Sequence, residues 1–265
     1  MKRAKLNERV KSIIVLIVVW FSVIAVYYIN LTQFAGENTK RVSGKFDAQV
    51  LVTPAPYVFV IIWFLIYAGL LAFAVYQALP AQLENPRVKN ARLWVSLNTV
   101  LNLSWTILFN SQNFAGAWTV IVGILATALI IHRKLEIGGA AKIEVGEILM
   151  RVTFSLYTGW SCVATIAYTS FVLNLFGWNG FGIAGAEWAV IMLRAGAVIS
   201  LACLYALNDF VLSAVFVWAY VGVAFRQQET ALVSNTAYGL SILIALAILF
   251  GGFNRLKAAS GGKYA

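Results

Sequence analysis

Eight apolar stretches of about 18 to 25 residues follow one another along this chain, at roughly 12–33, 56–79, 92–110, 115–133, 149–175, 187–207, 209–226 and 233–253. That length matches the roughly 20 residues an α-helix needs to cross about 30 Å of hydrocarbon. The stretches cannot all be core helices of a globule in water. Only 11% of the 265 residues are charged and 61% are hydrophobic, whereas soluble domains carry about 25% charged residues. Too little polar material is present to coat such a globule. A membrane β-barrel would alternate over about 10 residues per strand instead. The same composition excludes disordered, collagen-like, coiled-coil and disulfide-stapled secreted chains. The chain therefore reads as an all-α integral membrane protein with about eight transmembrane helices.

The net charge of +10 belongs to membrane flanks, and no nucleic-acid partner is expected. Lys2, Arg3, Lys5, Arg9 and Lys11 directly precede the first apolar run, where positive-inside segments lie. That run is long, contains Trp20, Phe21, Tyr27 and Tyr28, and lacks a small-residue cleavage site; it reads as a retained anchor. With eight spans, the side holding both termini collects about 15 of the 20 Lys and Arg residues, against Lys40, Arg41, Lys45 and Arg226 on the other. Both termini are thus expected in the cytoplasm, with the protein in a bacterial cytoplasmic membrane. This topology requires Asn208 and Asp209 to form a tight turn. Cys162 and Cys203 both fall inside apolar runs and read as small core residues. All four prolines lie in residues 1–175 and none in 176–265, with a glycine-rich connector at 177–185. The expected division is a five-helix unit, 1–175, followed by a three-helix extension, 176–265.

Few residues suggest reaction chemistry. His132, the only histidine, ends the fourth run beside Arg133 and Lys134. It reads as a headgroup-facing side chain, with a weak second reading as an axial metal ligand. Gly180, Gly182 and Gly185 spell G-x-G-x-x-G but follow a membrane span, not a strand, so they are read as a flexible connector. No nucleophile, base or carboxylate pair in catalytic spacing is found, and enzymatic activity is not expected. Arg194 lies two turns into the sixth run, with Glu187 seven residues before it. An intramembrane arginine needs a partner or a route to the surface, so Glu187, Asp209 and the headgroups are its candidates, with contact to an anionic ligand as the other reading. The main signal is aromatic: 9 Trp, 11 Tyr and 17 Phe. Trp20, Trp94, Trp118, Trp178 and Trp188 sit near span ends, as interfacial belts do. Trp63, Trp105 and Trp160 lie deeper, and Asn102 is one helical turn from Trp105. Three indoles and an amide suit a flat apolar ligand with polar edges. Aromatic packing without a ligand is the alternative.

These residues resemble the TspO/MBR family, also called translocator proteins or tryptophan-rich sensory proteins. Pro54, Val58, Phe59, Trp63 and Tyr67 look like its P-x-x-x-V-F-x-x-x-W-x-x-x-Y second helix. Leu101, Asn102, Trp105 and Phe109 look like L-N-x-x-W-x-x-x-F in the third. Tyr157, Trp160, Ala164 and Thr165 look like Y-x-x-W-x-x-x-A-T in the fifth. The resemblance covers about residues 10–175, and the extension looks like that of longer bacterial members. It implies a five-helix bundle whose pocket is closed by the first loop and lined by Pro54, Phe59, Trp63, Tyr67, Asn102, Trp105, Tyr157, Trp160 and Ala164. It also implies a tetrapyrrole ligand (porphyrin, haem or chlorophyll type), with a sensory, regulatory or transport role. Ala55, Tyr57 and Tyr168 stand where the family has Pro, Trp and Asn; a phenol at 168 narrows the pocket or changes its polar edge. The expected partners are the lipid bilayer, that ligand, and a second copy or a larger membrane complex. The alternative function is an accessory structural subunit of a larger, pigment-bearing membrane complex. A transporter reading finds no inverted repeat to rest on.

Overall fold

The structure, a computed structural model, describes residues 2–34, 50–138 and 144–261. Residues 35–49, which include Lys40, Arg41 and Lys45 and most of the loop expected to close the pocket, lie outside the described residues.

Among the described residues there are eight α-helices and no strand: α1 (Lys2–Phe34), α2 (Pro56–Tyr76), α3 (Pro86–Asn110), α4 (Phe114–Lys134), α5 (Val145–Leu175), α6 (Gly185–Ala206), α7 (Phe210–Arg226) and α8 (Ala231–Gly261). Local chemistry sets several of the starts. Pro56 and Pro86 each occupy the opening turn of a helix, where a missing N–H costs nothing. Asn85, Asn113 and Asp209 accept from backbone amides of the first turns of α3, α4 and α7, satisfying donors the helix itself leaves open. Helix α1 begins ten residues before the apolar run, so the basic N-terminal segment is helical.

Helices α1 to α5 close into a ring: α1 packs on α2 and α3, α3 on α4, α4 on α5, and α5 back on α2. Helix α1 turns Ser12, Val15, Val19, Ser22, Val23 and Val26 inward and leaves Ile13, Ile14, Ile17, Phe21 and Ile24 outside. Small residues on one face let helix backbones approach when lipid is as apolar as the core. Helix α3 is the least apolar member, and its polarity is directed inward. Asn98, Thr99, Asn102 and Thr106 are buried, and the Asn98 amide donates to the Ile124 carbonyl at 2.9 Å and to Thr127 Oγ1 at 2.7 Å. Six helices are long and apolar enough by themselves to cross a membrane. Helix α7 is apolar but has only 17 residues, and α3 owes its place to partners inside the ring.

The extension docks through α7, which packs on α5 and touches α2, while α8 covers α6 and α7. The 207–209 connection is the tight turn that eight spans require. Ser213 Oγ donates to the Ser200 carbonyl at 3.0 Å and Tyr220 Oη to the Leu193 carbonyl at 2.6 Å. Both pairs are centred on the same point in the chain, so α6 and α7 form an antiparallel hairpin. The glycines of the 177–185 connector also have a conformational reason. Gly180 has φ +62°, and a Cβ there would lie 2.6 Å from Trp188 Nε1, whose N–H donates to the Gly180 carbonyl at 2.7 Å. Gly180→Ala is expected to cost about 1–2 kcal/mol through left-handed strain and loss of this contact. Faster amide exchange across 177–185 is the check, and unchanged exchange would contradict it.

Candidate functional site

Spacing of four residues puts Phe59, Trp63 and Tyr67 on one face of α2. They meet α5 there: Phe59 lies edge-on to Trp160 at 5.0 Å, and Trp63 lies edge-on to Tyr157 at 6.2 Å and to Trp160 at 6.4 Å. Trp63 stacks on Tyr67 at 5.0 Å, with an interplanar angle of 19°. Below these rings a polar chain crosses the bundle. Tyr67 Oη donates to Asn102 Oδ1 at 2.9 Å, and Asn102 Nδ2 donates to Tyr157 Oη at 3.3 Å. Three helices are tied through one amide, which explains a buried Asn in α3: removed from water, it must be matched on both sides.

The three deep indoles do not form a single group. Trp63 and Trp160 share the α2–α5 cluster. Trp105 stacks instead on Phe109 at 5.0 Å and lies edge-on to Tyr168 at 6.0 Å, beside Phe114 and Phe171 of the α4–α5 seam. Tyr168 fills that second cluster and donates to the Phe114 carbonyl at 3.2 Å. Trp105 Nε1 and Trp160 Nε1 are buried without a hydrogen-bond partner among the described residues. A buried donor left unmatched costs about 1–3 kcal/mol, so these two N–H groups are open to an acceptor brought by a ligand. Pro54 is buried at the head of α2. Ala164 packs partly buried against the core one turn beyond Trp160.

Sequence reasoning missed the contribution of α1. Ser22 and Val23 line a narrow crevice with Tyr67, Leu70, Thr99 and Asn102, and Tyr27 lies 5.5 Å from Tyr67. The signal was available in the Ser and Val stripe of α1, which repeats at three and four residues.

A second buried cluster joins the ring to the extension. His132 is not headgroup-facing; it is 3% exposed, and its Nε2 lies 2.7 Å from Asp209 Oδ2. Ser155 Oγ donates to the same carboxylate oxygen at 2.6 Å, and the Leu212 amide donates to Oδ1 at 2.9 Å. An ionised carboxylate only accepts, so Nε2 carries the proton. Burial alone raises the Asp209 carboxyl, but bonds from His132, Leu212 and Ser155 outweigh it and hold the group below its ordinary value. With its Nε2 engaged in this way, His132 serves as a link between helices. Among the described residues no three His, Cys, Asp or Glu side chains gather as a metal site. Asp209 is therefore not the partner of Arg194, which sits exposed on the outer face of α6 with no hydrogen-bond or ion-pair partner among the described residues.

Fold and site together define a polytopic helical membrane protein whose five-helix ring encloses aromatic clusters and a buried amide–phenol chain. The chain belongs to the TSPO-like protein family, whose sequence pattern matches residues 12–250. The match runs from α1 through most of α8, including the extension. No curated protein and no solved structure matches the chain at a comparable level.

Proposed function

We propose that the protein binds a flat apolar ligand of the tetrapyrrole class within the five-helix ring, in a sensory, regulatory or transport role. The observation that carries this reading is the α2–α5 aromatic cluster, set above the Tyr67–Asn102–Tyr157 chain and beside the unpartnered N–H of Trp160. Ring faces take the macrocycle, and the phenols, amide and indole N–H groups take its carboxylates or carbonyls. Pro54, Phe59, Trp63, Tyr67, Asn102, Trp105, Tyr157, Trp160 and Ala164 are the proposed contacts. Residues 1–175 form the binding unit and 176–265 an extension of it. The basic asymmetry of the loops supports a bacterial cytoplasmic membrane with both termini in the cytoplasm.

Titrating the solubilised protein with protoporphyrin IX, read by Soret absorbance and Trp quenching, tests the reading. Losing one stacking ring costs about 0.5–1.5 kcal/mol beyond area burial, or roughly threefold to twelvefold in affinity. Trp63→Ala and Trp105→Ala should each weaken binding at least that much, whereas Trp188→Ala, in the first turn of α6 away from the ring, should leave it unchanged. Equal affinity in all three variants and wild type would mean surface adhesion. A second reading, as a subunit of a larger membrane complex, draws on Arg194, whose outward charge a neighbouring subunit could neutralise. Co-purification of a stoichiometric partner would favour it.

A further inference from the structure

The lead-in to α2 is held partly by its own bonds and partly by α7. Among Thr53, Pro54, Ala55 and Pro56, the two prolines lack N–H groups, leaving only two backbone donors. Thr53 N–H donates locally to the Val50 carbonyl at 3.2 Å, whereas Ala55 N–H donates to the Gly222 carbonyl of α7 at 3.1 Å. Arg226, at the end of α7, donates from Nη1 to the Pro54 carbonyl at 3.1 Å. Gly222 is required for this approach: a Cβ there would lie 2.4 Å from Val58 Cγ2 and 3.1 Å from Pro54 Cβ. Tyr57 lies edge-on to Trp218 of α7 at 6.1 Å. Phe59 lies in the same first turn of α2 and Trp63 one turn beyond it; these are the rings that meet Trp160.

We infer that α7 is an intramolecular effector of the ligand site: through Gly222 and Arg226 it sets the position of residues 53–58, and thereby the affinity of the aromatic cluster. This rests on the ligand-binding reading above, and it gives the extension a role in the same site. Backbone contact of this kind acts on register. A shift of the lead-in moves the whole first turn of α2, and with it the Phe59 and Trp63 rings against α5. Gly222 and Arg226 are therefore positioning residues and need not touch ligand.

Two measurements on the full-length protein test the inference. Without ligand, amide exchange across residues 52–60 should be faster in Gly222→Ala and in the milder Arg226→Gln than in wild type. With protoporphyrin IX as probe, both variants should bind roughly fivefold or more weakly, the low end of ordinary coupling between sites. Ser213→Ala is the control, since it removes a bond between α7 and α6 and leaves the lead-in untouched; it should change neither quantity. Wild-type affinity in both variants overturns the inference, as does unchanged exchange at 52–60. Equal weakening by Ser213→Ala would also overturn it, by showing general loosening of the extension. If the wild type takes up no porphyrin, the ligand reading fails and the affinity part of this inference fails with it. The exchange measurement then still decides whether α7 holds the lead-in.

Discussion

Arg92→Met should be the most damaging single substitution outside the aromatic clusters, lowering stability by about 3–5 kcal/mol, because it takes a buried guanidinium away from several acceptors, each costing about 1–3 kcal/mol when left unmatched. Arg92 is 4% exposed, and four acceptors surround its guanidinium: Glu8 Oε2 at 2.8 Å, Gln77 Oε1 at 3.0 Å, and the carbonyls of Gln77 and Gln82 at 3.1 and 3.3 Å. Gln77 extends the network by donating to the Ser12 carbonyl at 2.7 Å, so α1, α2 and α3 are tied at one end of the ring. Methionine fills the volume but leaves Gln77 Oε1 without its donor and Glu8 with Lys11 as its remaining partner. Thermal unfolding in detergent is the measurement; a variant melting with the wild type would show that water already serves these acceptors.

Asp209→Ala should cost about 3 kcal/mol, since it removes a helix cap and two hydrogen bonds to a charged group. It leaves His132 and Ser155 buried without their acceptor. Asp209→Asn keeps the cap and should fall between alanine and wild type. The pH dependence follows from the lowered carboxyl of Asp209. A depressed folded-state value stabilises above the unfolded value, near 3.8, and the contribution is lost as pH falls through the folded value. Stability should thus lose this contribution only below about pH 4, and the Asp209→Ala variant should lack that acid-side loss. An identical acid profile in the two proteins would remove Asp209 from the explanation.

Much of this protein was legible in its sequence because the bilayer imposes a one-dimensional rule. Each span must be long, apolar and internally hydrogen-bonded, so counting apolar runs located the helices; the opening residues Pro56, Pro86, Asn85 and Asn113 entered only with the structure. The candidate aromatics on α2 could be assigned to one face, since 59, 63 and 67 are spaced by helical turns. The sequence could not show which faces meet. That Trp63 joins Trp160 while Trp105 turns to Tyr168 depends on how α2, α3 and α5 rotate against each other, and no local periodicity encodes this. His132 was misread for the same reason: its partners Ser155 and Asp209 lie on α5 and at the α6–α7 turn, and burial follows only once those elements close over it. The contact of Gly222 with the lead-in to α2 spans more than 160 residues of chain. Side-chain type and spacing determined that this chain is a bundle of membrane helices with an aromatic interior. Tertiary packing alone decided which polar groups are matched, which indoles meet, and that α7 contacts the lead-in to α2, because each is a contact between helices distant in sequence.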